Sequence, residues 1–349
     1  MFDRWTKPAG VNPILGPNAD ATFVCPLAGP VAWRAKDVFN PAAIVHQGKV
    51  HLLLRAEDEV GPFAGTSRIG LATSTDGLHF TVEPEPVLFP ADDEQRDVEW
   101  PGGCEDPHIV AHPDGGFVMT YTAYDGKRAR LMVATSPDLR AWTKHGRALA
   151  EPFADLWAKA GSIVSASGVA KNVDGRFWMY FGESDIFAAT STDLVRWDVV
   201  TTRHLADRTF TPGVGREVVE GPTVPWPIVG PRPGRFDELL VEPGPPAVWT
   251  PEGIHLIYNG SAPSGGRAQP GTPAGGVRYC PGLLSFDPVS PTQVISRCTE
   301  PLLVPDQPFE LDGQVDAVCF AEGLVHFGGR WLLYYGTADS QIAVAECVD

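Results

Sequence analysis

The tripeptide Ala-Thr-Ser occurs three times, and each time an aspartate and then an aromatic residue follow, over Ala72 to Phe80, Ala134 to Trp142 and Ala189 to Trp197. The serines Ser74, Ser136 and Ser191 lie 62 and then 55 residues apart. A self-similar period of that order marks one supersecondary unit per repeat. An extended run with an aliphatic or aromatic stripe precedes each copy: His51 to Arg55, Phe117 to Tyr124 and Phe177 to Phe181. Two further units keep the order with a degenerate ending. One runs from Pro245 through Ile254–Tyr258 to Leu284–Asp287, the other from Val318 through Trp331–Tyr335 to Ile342–Ala345.

Short runs of Val, Ile, Tyr, Phe and Trp bounded by turn residues are strand signals. The 37 glycines and 34 prolines are spread along the chain, and long amphipathic helical patterns are hard to find. The fold class expected is all-β. Each unit has room for four strands of about 5–6 residues, and radial repetition of four-stranded sheets is a propeller. The five units predict a five-bladed β-propeller in one domain over residues 1–349. A β-sandwich beside a separate domain is the alternative, and repeats running end to end argue against it. The stretch 202–235 breaks the rhythm and reads as an irregular insertion over one face, a length of loop more often functional than idle.

The formal charge of -16 excludes nucleic acid, whose phosphates need a basic surface, and an anionic membrane surface. The six cysteines form no CxxC or Cys/His cluster, so neither a zinc nor a redox site is expected and buried free thiols are the default. Met1 to Gly10 carry charges and prolines where a signal peptide would have an apolar stretch. The sequence as it stands is therefore expected in the cytoplasm, with the periplasm or secretion as the alternative if a signal has been removed. Oligomeric state is not legible.

In a propeller the first strand of each blade lines the axis. The residues opening the units are Phe39-Asn40-Pro41, Glu105-Asp106-Pro107, Gly161-Ser162-Ile163, Val241-Glu242-Pro243 and Ala321-Glu322-Gly323. Three of the five bring carboxylates to one place, where like charges raise one another's pKa. Cleavage of a bond between sugars needs such a pair, one acid to protonate the leaving oxygen and one carboxylate to activate water or attack. A calcium site, or a web of hydrogen bonds to the first-strand backbone, is the structural alternative. Trp33, Trp100, Tyr121, Tyr124, Trp157, Trp178 and Tyr335 offer flat faces to a pyranose; Asn40, Arg55, Asp58 and Asp339 offer partners for its hydroxyls. Each alone is more often core packing or a structural ion pair.

Gly102-Gly-Cys-Glu-Asp-Pro107, Phe39-Asn-Pro41 with Leu54-Arg-Ala-Glu-Asp58, Ser67-Arg-Ile-Gly-Leu-Ala-Thr-Ser74, Val241-Glu-Pro-Gly-Pro-Pro246 and Leu332-Leu-Tyr-Tyr-Gly-Thr-Ala-Asp339 together resemble glycoside hydrolase family 130, the β-mannoside phosphorylases and β-1,2-mannosidases. The matches run from about Asn12 to Ala345. The resemblance implies a five-bladed propeller and a mannose-containing oligosaccharide or glycan as partner. It also implies no cofactor and no metal, with Asp106 as the catalytic acid. It further bears on whether phosphate or water is the acceptor. Where phosphorylases of the family carry His-Arg-Pro, this chain has Tyr180-Phe-Gly-Glu183; where they carry a His after the fourth unit's tyrosine, it has Asn259; and Val241-Glu242-Pro243 brings a further acid. Phosphate needs Arg or Lys donors and is repelled by Glu, whereas water needs a carboxylate base. Lys159 matches a lysine that phosphorylases keep.

The expected activity is therefore inverting hydrolysis of β-linked mannose, β-1,2 by resemblance. Asp106 is the acid, and Glu183 or Glu242, or both, the base. Asn40, Arg55, Asp58 and Asp339 are expected to bind substrate, as are His108, Tyr121, Lys159, Asn259 and Glu322. His108 stands where the family commonly has Arg, and its charge depends on pH. A mannoside phosphorylase and a non-catalytic glycan-binding propeller are the rival readings.

Overall fold

The computed structural model describes residues 2, 4–59, 65–201, 224–264 and 276–348. Most of the predicted 202–235 insertion lies outside them. The all-β expectation holds: helix among the described residues is confined to two four-residue turns, Arg96–Glu99 and Pro308–Leu311.

The strands form successive antiparallel meanders. The first runs Asp37–His46, Lys49–Glu57, Ser67–Ser74 and Thr81–Val82. The second runs Gly103–Ala111, Phe117–Tyr124, Ala129–Ser136 and Thr143–Arg147. Ser162–Ile163, Arg176–Phe181, Phe187–Ser191 and Asp198–Val199 make the third. Leu240–Pro243, Gly253–Pro263, Val277–Phe286 and Val294–Arg297 make the fourth. The fifth has Cys319–Phe327, Arg330–Thr337 and Gln341–Val348. The chain's beginning adds to that last strand through Thr6 opposite Glu346 and Leu15 opposite Ile342.

The sequence repeat has a direct cause in turn chemistry. The Ser136 hydroxyl accepts the backbone N–H groups of Asp138 and Leu139, while Asp138 Oδ1 accepts those of Arg140 and Ala141. Ser74 with Asp76, and Ser191 with Asp193, do the same. Each pair satisfies four backbone donors of the turn that closes the third strand, a job short polar side chains do well. In the fourth unit Asp287 alone serves, accepting from Val289 and Ser290, which is why its motif looks degenerate.

Buried apolar residues fall into clusters shared between neighbouring meanders. Leu53 and Leu71 of the first pack with Met119 and Met132 of the second; Val118 and Val133 pack with Met179 and Ala189 of the third. Tyr180 and Ala188 pack with Leu256 and Leu284 of the fourth, and Ile257 with Leu333 and Ala343 of the fifth. Leu332, Tyr334 and Val344 of the fifth pack with Val38 and Leu52 of the first. The inner strands of those two meanders touch at Gly323, where a Cβ would lie 2.7 Å from the Pro41 carbonyl oxygen. All six cysteines are free thiols, five of them buried.

Candidate active site

Three inner strands carry an irregularity at the residue that matters. Register shifts between Phe39 and Pro41, between Glu105 and His108, and between Ala321 and Gly323. The residues left out of the ladders are Asn40, Asp106 with Pro107, and Glu322. A bulge re-aims a side chain and is common beside active sites. Asn40 and Asp106 sit at φ 45° and 43°, a left-handed backbone that Asn and Asp tolerate better than other residues with a Cβ. Backbone and chemistry thus ask for the same residue types. Asp339, at φ 51°, lies in the turn before the last strand.

Arg55 organises the site. Its Nη1 donates to Asp106 Oδ1 at 3.0 Å, its Nη2 to Glu57 at 2.7 Å, and its Nε to the Ser67 hydroxyl at 3.0 Å. Nη2 also lies 3.2 Å from Glu105, and the guanidinium sits 4.6 Å over the Phe39 ring. Asn40 Nδ2 donates to the same Asp106 Oδ1 at 2.9 Å. Lys159 Nζ approaches Glu105 at 3.7 Å. Glu183 Oε2 accepts the Trp157 indole N–H at 2.5 Å.

These surroundings divide the carboxyls. Burial pushes Asp106 up, but Arg55, Lys159 and Asn40 outweigh it and hold the group below its ordinary value. Burial drives Glu242 well above its usual range, reinforced by Glu183. Glu322 is likewise pushed well up, by burial and then by Asp106 and Glu242, and its Oε2 is buried with no partner among the described residues. Burial also lifts Asp339 to about 7 against the pull of Arg55, and raises Glu105. At neutral pH the site therefore holds an ionised Asp106 beside carboxyls whose acidity burial weakens. Interleaved Arg55 and Lys159 make a calcium site a poor fit. Among the described residues no group of three or more His, Cys, Asp or Glu is placed to hold a metal ion.

Several expected sugar contacts belong to the scaffold instead. Tyr121 is fully buried, and its hydroxyl donates to Glu99 at 2.8 Å, which in turn pairs with Lys144 at 2.6 Å. Tyr335 repeats the device with Glu310 and Lys7, and Tyr258 with Asp237, Arg232 and Arg297. A tyrosine, an acid and a cation thus lock the second strand of three meanders to the loop before each inner strand. Trp33 is fully buried, with its indole N–H on the Pro84 carbonyl. Asp58 pairs with the buried Arg68 and accepts the Thr66 N–H. The amide of Asn259 exchanges two hydrogen bonds with the Ala321 backbone, joining the fourth meander to the fifth beside Glu322. His108 is 1% exposed. Burial lowers it to about 4, so it is neutral, with Nδ1 3.3 Å from the Asp106 carbonyl oxygen; it supports the bulge and does not replace an arginine's charge.

Tyr121→Phe should therefore lower stability by about 1.5–3 kcal/mol, the worth of a hydrogen bond to a charged group. Urea unfolding measures this, and KM should be unchanged; a sugar contact through the hydroxyl would instead raise KM.

Of the remaining expected residues, Asn40, Arg55, Asp106, Lys159, Glu183, Glu242, Glu322 and Asp339 form one electrostatically coupled group. Sequence reading missed two members. Glu105 is expected on the axis but has no role assigned from sequence, yet it lies between Arg55 and Lys159. The hydroxyl of Tyr279 is pushed up by burial and then by Glu242, Asp339 and Glu183. It comes from the third strand of a degenerate unit, where no motif marks it.

Acidic and amide side chains converging on an arginine, in an all-β scaffold, fit the needs of a carbohydrate-active enzyme. A family model described as beta-1,4-mannooligosaccharide phosphorylase matches residues 27–349. The chain belongs to glycoside hydrolase family 130. A 1,2-beta-oligomannan phosphorylase of Thermoanaerobacter sp. is 30% identical over 90% of each chain. A glycosyl hydrolase structure from Bacteroides ovatus is 42% identical, covering 99% of this chain and 93% of its own, with a TM-score of 0.87. Another structure is 41% identical over 99% and 93%, with a TM-score of 0.87. It is described with the statement that this family of mannoside phosphorylases contains glycoside hydrolases that target beta-1,2 mannosidic linkages in Candida mannan.

Proposed function

We propose that the protein is an inverting glycoside hydrolase that removes β-linked mannose, β-1,2 in the first instance, from mannooligosaccharides or mannosylated glycans. We further propose that its meanders are the blades of a five-bladed propeller, a reading supported by the apolar cluster the fifth meander shares with the first. One observation carries the choice of water over phosphate. The guanidinium of Arg55 is already engaged by Asp106, Glu57 and Glu105. Among the described residues Lys159 is the further cation of the group, close to Glu105 and acted on by Glu183 and Glu242. A phosphate dianion would have to compete for that one lysine with Glu105 and with Glu183, the base.

In this mechanism Asp106 gives its proton to the leaving oxygen as the C1–O bond breaks. Glu183 takes a proton from the water whose oxygen bonds to C1 from the opposite face. Glu242, held neutral by burial and by Glu183, donates a hydrogen bond instead of acting as base. Asp106 is ionised before substrate binds, so it must first acquire its proton. Burial weakens the acidity of Glu105, Glu322 and Asp339 nearby. A sugar that displaces water from around Asp106 favours its neutral form by desolvation. Asn40 and Asp339 fix hydroxyls, while Arg55 holds Asp106.

The second reading, a phosphorylase, is favoured by Lys159 and by the 30% identity to an oligomannan phosphorylase. Incubation with β-1,2- and β-1,4-mannobiose, with and without phosphate, separates the two by NMR. Hydrolysis predicts free mannose, released first as the α-anomer, at a rate that phosphate does not raise. Mannose 1-phosphate as product would establish the phosphorylase.

A further inference from the structure

Trp157 is 48% exposed, whereas Trp33 and Trp197 are completely buried. It is not on a loose loop. Two residues before it, Asp155 receives Arg130 at 2.7 Å and Arg147 at 3.0 Å from the second meander. Two residues after it, the Lys159 carbonyl accepts the Gly182 N–H at 2.9 Å, and the Lys159 ammonium reaches Glu105. The segment is thus tied on one side to the scaffold and on the other to the site, which holds the half-exposed indole beside Glu183. Keeping that much apolar area wet is unfavourable unless something covers it. The other end of the same ring donates to Glu183 Oε2 at 2.5 Å. Among the described residues this is the hydrogen bond Glu183 has.

We infer that Trp157 is a positioning residue that couples the leaving-group sugar to Glu183. The apolar C–H face of a sugar beyond the cleaved bond stacks on the exposed indole. This pins the ring, and through its N–H the ring holds Glu183 in the rotamer that faces the attacking water. An indole is suited to both duties because its polar edge and its apolar face are at right angles. A half-exposed glutamate without that donor would sample several rotamers and be correctly placed only part of the time. The inference rests on Glu183 being the base.

Trp157→Phe keeps a ring face and removes the N–H; Trp157→Ala removes both. These are compared with Glu183→Gln and the double variant Trp157→Phe/Glu183→Gln. The substrates are β-1,2-mannobiose and methyl β-mannoside, whose methyl group cannot reach the ring. Trp157→Phe should lower kcat by about 10-fold on both with little change in KM, the scale expected for one hydrogen bond to a charged group. Trp157→Ala should in addition raise KM for mannobiose and leave KM for the methyl glycoside alone. In the Glu183→Gln background Trp157→Phe should cost nothing further. Wild-type kcat in Trp157→Phe, with Glu183→Gln inactive, overturns the inference and leaves the assignment of the base intact; so do losses that simply multiply in the double variant. Near wild-type activity in Glu183→Gln overturns the assignment of the base itself.

Discussion

Asp106→Asn should lower kcat on β-1,2-mannobiose by at least about 100-fold, the contribution of a positioned general acid, while the melting temperature stays within a few degrees of the parent. The backbone is what makes this variant informative. At φ 43° an asparagine is as comfortable as an aspartate, and its amide oxygen can still accept from Arg55 and Asn40, which now meet at Asp106 Oδ1. The fold keeps its bulge and its partners; only the transferable proton goes. Alanine would confound the result, since it would add backbone strain and strand the two donors. A rate within a few-fold of the parent would place the acid elsewhere, and Glu322, buried beside Asp106 with an unpartnered oxygen, would be the first group to test.

What could be read in the sequence is what is local. Ser136-Pro-Asp138 and its two counterparts solve a turn within four residues, so their spacing reported the repeat and with it the strands. The Glu105-Asp106-Pro107 and Phe39-Asn40-Pro41 segments were legible because each opens a repeat unit at a matching place, and the left-handed backbone of their bulges favours Asp and Asn there. The errors came where the side of a strand decides. Along Lys49–Glu57, Arg55 turns with Glu57 to Asp106, and just beyond the strand's end Asp58 turns to Arg68; alternation along an extended run puts residues three apart on opposite faces, and it is this that separates them. Tyr121 and Tyr335 lie on strands that approach the site, but each hydroxyl faces outward to an acid brought in from a distant loop. Tyr279 was missed for the converse reason, its closeness to Glu242 and Asp339 being wholly tertiary.

Arg55→Met should destabilise the protein by about 3–5 kcal/mol at pH 8, the cost of removing one partner from a buried ion network, and should abolish measurable turnover. Asp106, Glu105 and Glu57 would lose the cation they share, and Lys36 would remain for Glu57 at 3.0 Å. The pH dependence separates lost charge pairing from lost packing. In the parent, Asp106 is held below its ordinary value. Its pairing therefore stabilises the fold above the unfolded-state pKa of about 4, and that contribution fades as pH falls through the folded value. Without Arg55, burial has less to oppose it and Asp106 moves up, so the variant loses stability as pH rises from about 4 toward the new, higher value. Both changes run the same way. The gap between parent and variant should be widest at pH 8 and close substantially at pH 5, where the stranded carboxyls can take protons. Urea unfolding at the two pH values measures it. An equal gap at both would mean that packing against Phe39, and not the charge at the centre of the carboxyls, is what Arg55 contributes.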